Sequence, residues 1–124
     1  MAHGGLAQEY LYAMEHIIGI NPRIKAISIF PNDISFDKER EIRQALRDVA
    51  NGCGAVLVSD MHGSTPSNLA LKASTELNSR VLFGANLPLL LKLVKARNLP
   101  VDKAIQLALD SGRKYINCAD ILLN

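Results

Sequence analysis

The chain of 124 residues has the length of one domain, and 48% hydrophobic residues suffice for an ordinary packed core, so a single globular unit over residues 1–124 is expected. Fourteen Lys and Arg against twelve Asp and Glu leave a formal charge of +2, with no block of like charge and few aromatics. The electrostatic footprint of a nucleic-acid binder is therefore missing. The longest apolar stretch, residues 87–94, contains Pro88 and Lys92 and is far short of the roughly 20 residues that span a bilayer; without a signal-peptide pattern, a cytoplasmic protein is expected.

The first predicted element is a helix. Leu6, Tyr10, Leu11, Met14, Ile17 and Ile18 recur at spacings of three and four, and Gly19 and Pro22 end the run. Residues 24–30 are short, rich in β-branched side chains and closed by Pro31-Asn32-Asp33, which predicts a strand. Asp37 is placed to cap a second helix with Ile42, Leu46, Val49 and Ala50 inward and its many charges facing water; Gly52-Cys53-Gly54 closes it. Residues 55–60 then form a continuous apolar run ending in Asp60, the pattern of a strand buried on both faces in the middle of a parallel sheet. Thr65-Pro66 reads as an N-cap followed by proline, opening a third helix to about Leu77. Residues 80–84 predict another strand. Asn86-Leu87-Pro88 starts a fourth helix to about Asn98, and a fifth begins at Val101-Asp102 and is expected to run through Gly112 nearly to the C-terminus.

Helices alternating with short apolar strands predict an α/β fold, a three-layer α/β/α sandwich with a mainly parallel sheet, because parallel neighbours need crossover connections. Ligands in such folds bind beyond the carboxyl ends of the strands. Asp60 with its loop, and Gly84-Ala85-Asn86-Leu87-Pro88, both fall at such ends and are expected to wall one crevice. Cys53 and Cys118 form no CxxC pair and read as small buried hydrophobes, and no carboxylate and histidine set has metal spacing. Neither a P-loop nor a GxGxxG is present, so nucleotide hydrolysis and hydride transfer lack support, and no cofactor is expected.

The chemistry concentrates in two segments, His3-Gly4-Gly5 and Asp60-Met61-His62-Gly63-Ser64-Thr65-Pro66. A neutral imidazole attacks phosphorus, which makes His3 the candidate nucleophile. It works best with its other ring nitrogen held by an acceptor, a role in which loss of a hydrolase aspartate costs about four orders of magnitude. Asp60 is the candidate acceptor. Transfer also needs donors for the phosphoryl oxygens, and the helix starts after Gly4 and around Gly63, Ser64 and Thr65 offer free N–H groups, glycine permitting close approach. Each residue alone has an ordinary rival role: His3 as a tail residue, Asp60 as a loop residue or cap, Thr65 as an N-cap, the glycines as turn formers. His16 falls on the polar side of the first helix, and His62 either competes for the phosphoryl group, lines a partner surface or faces water.

These pieces, with 84–88 and Gly112-Arg113-Lys114-Tyr115-Ile116-Asn117, resemble in order the mannose-family enzyme IIA domains of the bacterial phosphoenolpyruvate-dependent sugar phosphotransferase system. The resemblance implies a phosphotransferase with a phosphohistidine intermediate. An HPr-like phosphocarrier would phosphorylate His3, Asp60 would orient the imidazole, Thr65 would sit by the phosphoryl site, and an enzyme IIB domain would accept the group. A homodimer is implied, with contact to a membrane only through a transporter complex. A regulatory phosphorylation sensor, or the phosphoryl-transfer subunit of a dihydroxyacetone kinase, are the alternatives. The sequence departs from the family pattern in carrying His62 where an aromatic residue is usual and Ser64 where a second glycine is usual. It also has only Met1 and Ala2 before His3, so the central N-terminal strand is expected to be missing. Three explanations offer themselves: a start downstream of the true one, closure of the flanking strands, or a second chain filling the slot.

Overall fold

A computed structural model of the chain describes residues 1–50, 54–75 and 78–123. The elements are β1 (Ala2–His3), α1 (Leu6–Ile18), β2 (Ser28–Ile29), α2 (Ser35–Val49), β3 (Ala55–Val58), α3 (Thr65–Ala73), β4 (Ser79–Leu82), α4 (Leu87–Lys95), α5 (Val101–Lys114) and α6 (Ala119–Leu122). It is an α/β fold of parallel strands, β1 paired with β2 and β3 with β4. The chain divides into two compact units, Met1–Ala85 and Asn86–Asn124.

In the first unit the strand expected to be missing is present as the two-residue β1. Ala2 and Gly4 donate their N–H groups to Ile27 O and Ile29 O on one side, and the Met1 nitrogen donates to Val58 O on the other. An extended chain points successive N–H groups to opposite sides, so two residues suffice to bridge β2 and the end of β3. The slot is filled, and the flanking strands do not close over it. The strand predicted over 24–30 shrinks to Ser28–Ile29 because a ladder is only as long as its partner, and β1 offers Ala2 and His3.

The core of this unit gathers Ile27, Ile29, Ile42, Leu46, Ala55, Leu57, Leu69, Ala70 and Ala73. Ile42 and Leu46 are buried as their helical spacing requires, while Val49 and Ala50 are only partly covered. Asp37 is not the cap. The helix starts earlier, behind Ile34, because Asp33 already closes the preceding turn by accepting the Phe30 N–H at 2.7 Å; Asp37 lies in the first turn, where its carboxylate faces the positive helix end. Strand β3 buries Ala55 and Leu57 on one face and half-buries Val56 and Val58 on the other, so it is fully covered on one face only. In α1, Met14 is buried, but Leu6 and Ile17 of the predicted inward stripe are exposed. Gly52, Cys53 and Leu77 lie outside the described residues.

At α3 the cap is Ser64, one residue before Thr65, with Pro66 in the first turn. In the second unit Asn86 caps α4, accepting the Leu89 N–H at 3.0 Å, and its amide donates to Gly112 O of α5 at 2.9 Å. The fifth helix stops at Lys114 and does not continue to the C-terminus. Ile116 N–H turns back to Arg113 O, and the Asn117 side chain takes the Cys118 N–H at 2.8 Å, a local bond that competes with helix propagation. Cys118 is exposed, not a small buried hydrophobe.

Gly112 suits the close approach of α4: a Cβ there would stand 3.1 Å from Leu89 Cβ and 3.2 Å from Asn86 Oδ1, so those side chains would have to give by a few tenths of an ångström. Replacing it with alanine is expected to destabilise the protein by about 1–3 kcal/mol through overpacking, despite the better helix propensity of alanine, as measured by urea unfolding.

Candidate functional site

The carboxyl ends of β1 and β3 meet. The extended backbone directs the N–H groups of Met1 and His3 toward β3, and His3 N–H, arriving past the end of that strand, finds a side chain in place of a carbonyl: Asp60 Oδ2, at 3.0 Å. The same oxygen lies 2.6 Å from His3 Nδ1. One carboxylate oxygen therefore holds both the backbone and the ring of one residue, which sets the position and the χ angles of the imidazole together. The other oxygen, Oδ1, accepts the Met61 N–H at 3.0 Å and the Ser59 hydroxyl at 3.4 Å.

A carboxylate can only accept, so in the neutral ring the short contact places the proton on Nδ1 and leaves Nε2 with its lone pair. The His3 side chain is 54% exposed while that of Asp60 is 13% exposed, so the ring stands in solvent and its anchor does not. Burial pushes the Asp60 carboxyl upward, but the His3 backbone and ring hydrogen bonds, with the field of the imidazole, outweigh it and hold the group below the usual aspartate value. The arrangement is a stationary acceptor behind an accessible nucleophilic nitrogen.

The remaining predicted residues divide by what their polar atoms already do. Gly4 spends its N–H on Ile29 O at 2.8 Å and takes φ 56°, so it makes the left-handed turn from β1 into α1. Ser64 is buried, its hydroxyl donating to Met61 O at 2.6 Å and accepting the Ser67 N–H at 3.4 Å. Both are committed to shaping the two loops. Gly63, at φ 83°, and Thr65 are exposed; Thr65 is the first residue of α3, where N–H groups have no intrahelical acceptor.

Two contacts escaped the sequence reading. His62 is stacked on Phe83, ring centroids 4.4 Å apart, and Tyr10 Oη donates to Ala85 O at 3.2 Å. Ala85 N–H in turn donates to Ser59 O, which sets Gly84-Ala85 beside the Asp60 end of β3. The rest of that predicted wall, Asn86-Leu87-Pro88, caps and starts α4. A tyrosine one turn into a helix that follows a candidate site was the available signal for the first of these bonds. His16 is exposed on α1, away from the predicted set. Among the described residues no three His, Cys, Asp or Glu gather to hold a metal, and no helix is long and apolar enough to cross a membrane.

The family model EIIA-man, described as PTS system fructose IIA component, matches residues 1–108. The chain belongs to the mannose-family enzyme IIA domains of the sugar phosphotransferase system. Solved structures agree with the fold of this IIA domain. The phosphotransferase component EIIA of Streptococcus agalactiae superposes with a TM-score of 0.87 at 24% identity, over 97% of this chain and 94% of that one. The mannose/sorbose-specific IIA subunit of Enterococcus faecalis gives 0.82 at 23%, over 95% and 89%. The IIA protein associated with the fucose utilization operon of Streptococcus pneumoniae gives 0.78 at 18%, over 99% and 93%. No curated protein sequence matches the IIA domain.

The Asp60 bonds make a signed prediction. A carboxyl whose pKa is lowered on folding contributes stability that is complete above its ordinary value, near 3.8, and is lost as pH falls from there through the lowered one. Asp60→Asn is expected to cost about 1–3 kcal/mol near neutrality and to flatten the loss of stability below pH 4, measured by denaturant unfolding across pH.

Proposed function

We propose that this IIA domain is a phosphocarrier that takes a phosphoryl group from a phosphorylated HPr-like protein onto His3 Nε2 and passes it to an enzyme IIB domain. The observation that carries the reading is the 2.6 Å contact between His3 Nδ1 and Asp60 Oδ2 beneath an exposed ring. Nδ1 cannot attack while it donates, so Nε2 is the acceptor atom. In the transfer the Nε2–P bond forms as the nitrogen–phosphorus bond of the donor breaks, and the electron pair of the broken bond returns to the donor imidazole. No proton needs to move between the partners, because the Nδ1 proton stays on the Asp60 side throughout.

As Nε2 bonds to phosphorus the ring becomes cationic, and the carboxylate is already in place to stabilise that charge without reorganisation. Asp60 acts as the positioning and stabilising residue and does not touch the phosphoryl group. The phosphoryl oxygens need donors, which on this reading come from the Gly63 and Thr65 backbone and the Thr65 hydroxyl at the start of α3, with the helix dipole adding to the attraction. Gly4 and Ser64 contribute through the loop shapes that they hold. The reverse step to IIB uses the same groups, since a phosphoramidate at Nε2 retains the transfer potential of its donor. The family supports HPr and IIB as partners in general, and a second copy of the chain completes the proposed set.

Incubation with phosphoenolpyruvate, enzyme I and HPr is expected to yield an acid-labile, base-stable label on the domain that His3→Ala abolishes. Label that persists in that variant would move the acceptor to His62 or end the phosphocarrier reading.

A further inference from the structure

The segment from Asp60 to Thr65 is fastened at both of its ends and open at its apex. At the first end Asp60 Oδ1 accepts the Met61 N–H at 3.0 Å; at the other the Ser64 hydroxyl donates to Met61 O at 2.6 Å and the Ser67 hydroxyl to Ser64 O at 2.9 Å. Met61 O also accepts the Ser64 N–H, at 3.4 Å, which makes His62 and Gly63 the central residues of a turn. Gly63, at φ 83°, takes the left-handed value that the third residue of a type II turn takes. The bond that closes this turn is longer than an ordinary backbone hydrogen bond, and a Cβ built on Gly63 would meet no atom of the described residues within 4 Å. Packing on the Gly63 side therefore does not hold the apex.

The contact that ties the apex to another element is the His62 ring. It lies on the Phe83 ring with centroids 4.4 Å apart and planes 28° from parallel, so the flat faces meet. Phe83 is a fixed support, because the chain on both sides of it is bound to Ser59: Leu82 O accepts the Ser59 N–H at 2.8 Å, and Ala85 N–H donates to Ser59 O at 3.1 Å. Tyr10 Oη adds its bond to Ala85 O from α1, and Ser59 itself is fully buried. Ser59 immediately precedes Asp60. One strand end thus holds the carboxylate behind His3 and, through Phe83 and the stack, the apex that carries the Gly63 N–H. Among the described residues neither ring nitrogen of His62 has a hydrogen-bond partner, in contrast to His3. What the fold uses is the face of the ring.

We infer that His62 is a positioning residue: stacked on Phe83, it holds the apex of the loop so that the Gly63 and Thr65 N–H groups stay in place for the phosphoryl oxygens on His3. The inference rests on the phosphocarrier reading and adds a residue to that site. Donors fixed beforehand need no reorganisation as charge builds on the phosphoryl oxygens, whereas a loose turn would have to be ordered during each transfer. Because the role belongs to the ring face, His62 neither carries the phosphoryl group nor gives it a proton.

The test measures transfer from phosphorylated HPr, beside labelling by phosphoramidate, which needs no protein surface, for wild type, His62→Ser, His62→Phe, Phe83→Leu and His62→Ser/Phe83→Leu. The kcat with HPr and the labelling rate with phosphoramidate are expected to fall together, about five- to tenfold, in His62→Ser and Phe83→Leu, while His62→Phe, which keeps a flat ring, stays within about twofold of wild type. The double variant is expected to lose no more than about twofold beyond either single one, since both changes remove the same contact. In nitrogen-15-labelled protein the change of the Gly63 amide resonance on phosphorylation of His3 is expected to shrink in His62→Ser and to persist in His62→Phe, a signature that lost stability alone does not produce. Unchanged rates in His62→Ser overturn the inference. So does an equal fall in His62→Phe, which would give the role to a ring nitrogen, and so does a fall confined to phosphorylated HPr, which would assign His62 to the partner's surface. A wild type that neither donor labels at His3 overturns the phosphocarrier reading instead, and the positioning role falls with it.

Discussion

Everything at this site depends on one oxygen atom accepting two hydrogen bonds from one residue. Asp60 Oδ2 receives both the backbone N–H and the ring Nδ1 of His3, at 3.0 and 2.6 Å. A single ring contact would leave the imidazole free to swing about its own side-chain torsions. Adding the backbone bond fixes the point from which the side chain grows, so ring position and orientation are decided together. It also makes the tautomer a consequence of geometry, because a carboxylate has no proton to give. Burial opposes this arrangement by raising the carboxyl, and the bonds from His3 prevail.

The fold supplies the conditions for that interaction with short elements. Parallel strands bring their carboxyl ends to one side, and β1 presents only two residues, yet its N–H groups reach β2 on one side and the end of β3 on the other. The turn at Gly4 sends the chain into α1 directly behind the histidine. Across the sheet, Ser64 caps α3 with its own side chain and ties back to Met61, which keeps the loop between Asp60 and Thr65 compact. Residues that look chemical in the sequence are here structural, and the polar groups left open at Gly63 and Thr65 owe their availability to them.

On the phosphocarrier reading the reacting group must also be reachable by a whole partner protein. The 54% exposure of the His3 side chain, above an Asp60 side chain that is 13% exposed, meets that requirement.

Much of this could be read from residues alone. The period of α1, the capping residues Asn86 and Gly19, the apolar run at 55–58 and the joint appearance of His3 and Asp60 are local patterns, and local sterics and hydrogen bonding decide them. What sequence could not reveal depends on neighbours distant in the chain. Asp37 lost its role as a cap because Asp33 closes the turn first, β2 stops where β1 stops, and the role of Gly112 follows from the closeness of Leu89 and Asn86. The His62–Phe83 stack joins segments with no sequence signal between them, and for the Tyr10–Ala85 bond the place of the tyrosine was the only signal. The sequence by itself determined that an imidazole before a glycine-flanked helix start and a carboxylate at a strand end were available. Only the tertiary structure decided which polar atoms remained free to act, because each donor and acceptor can be spent once and long-range packing chooses where.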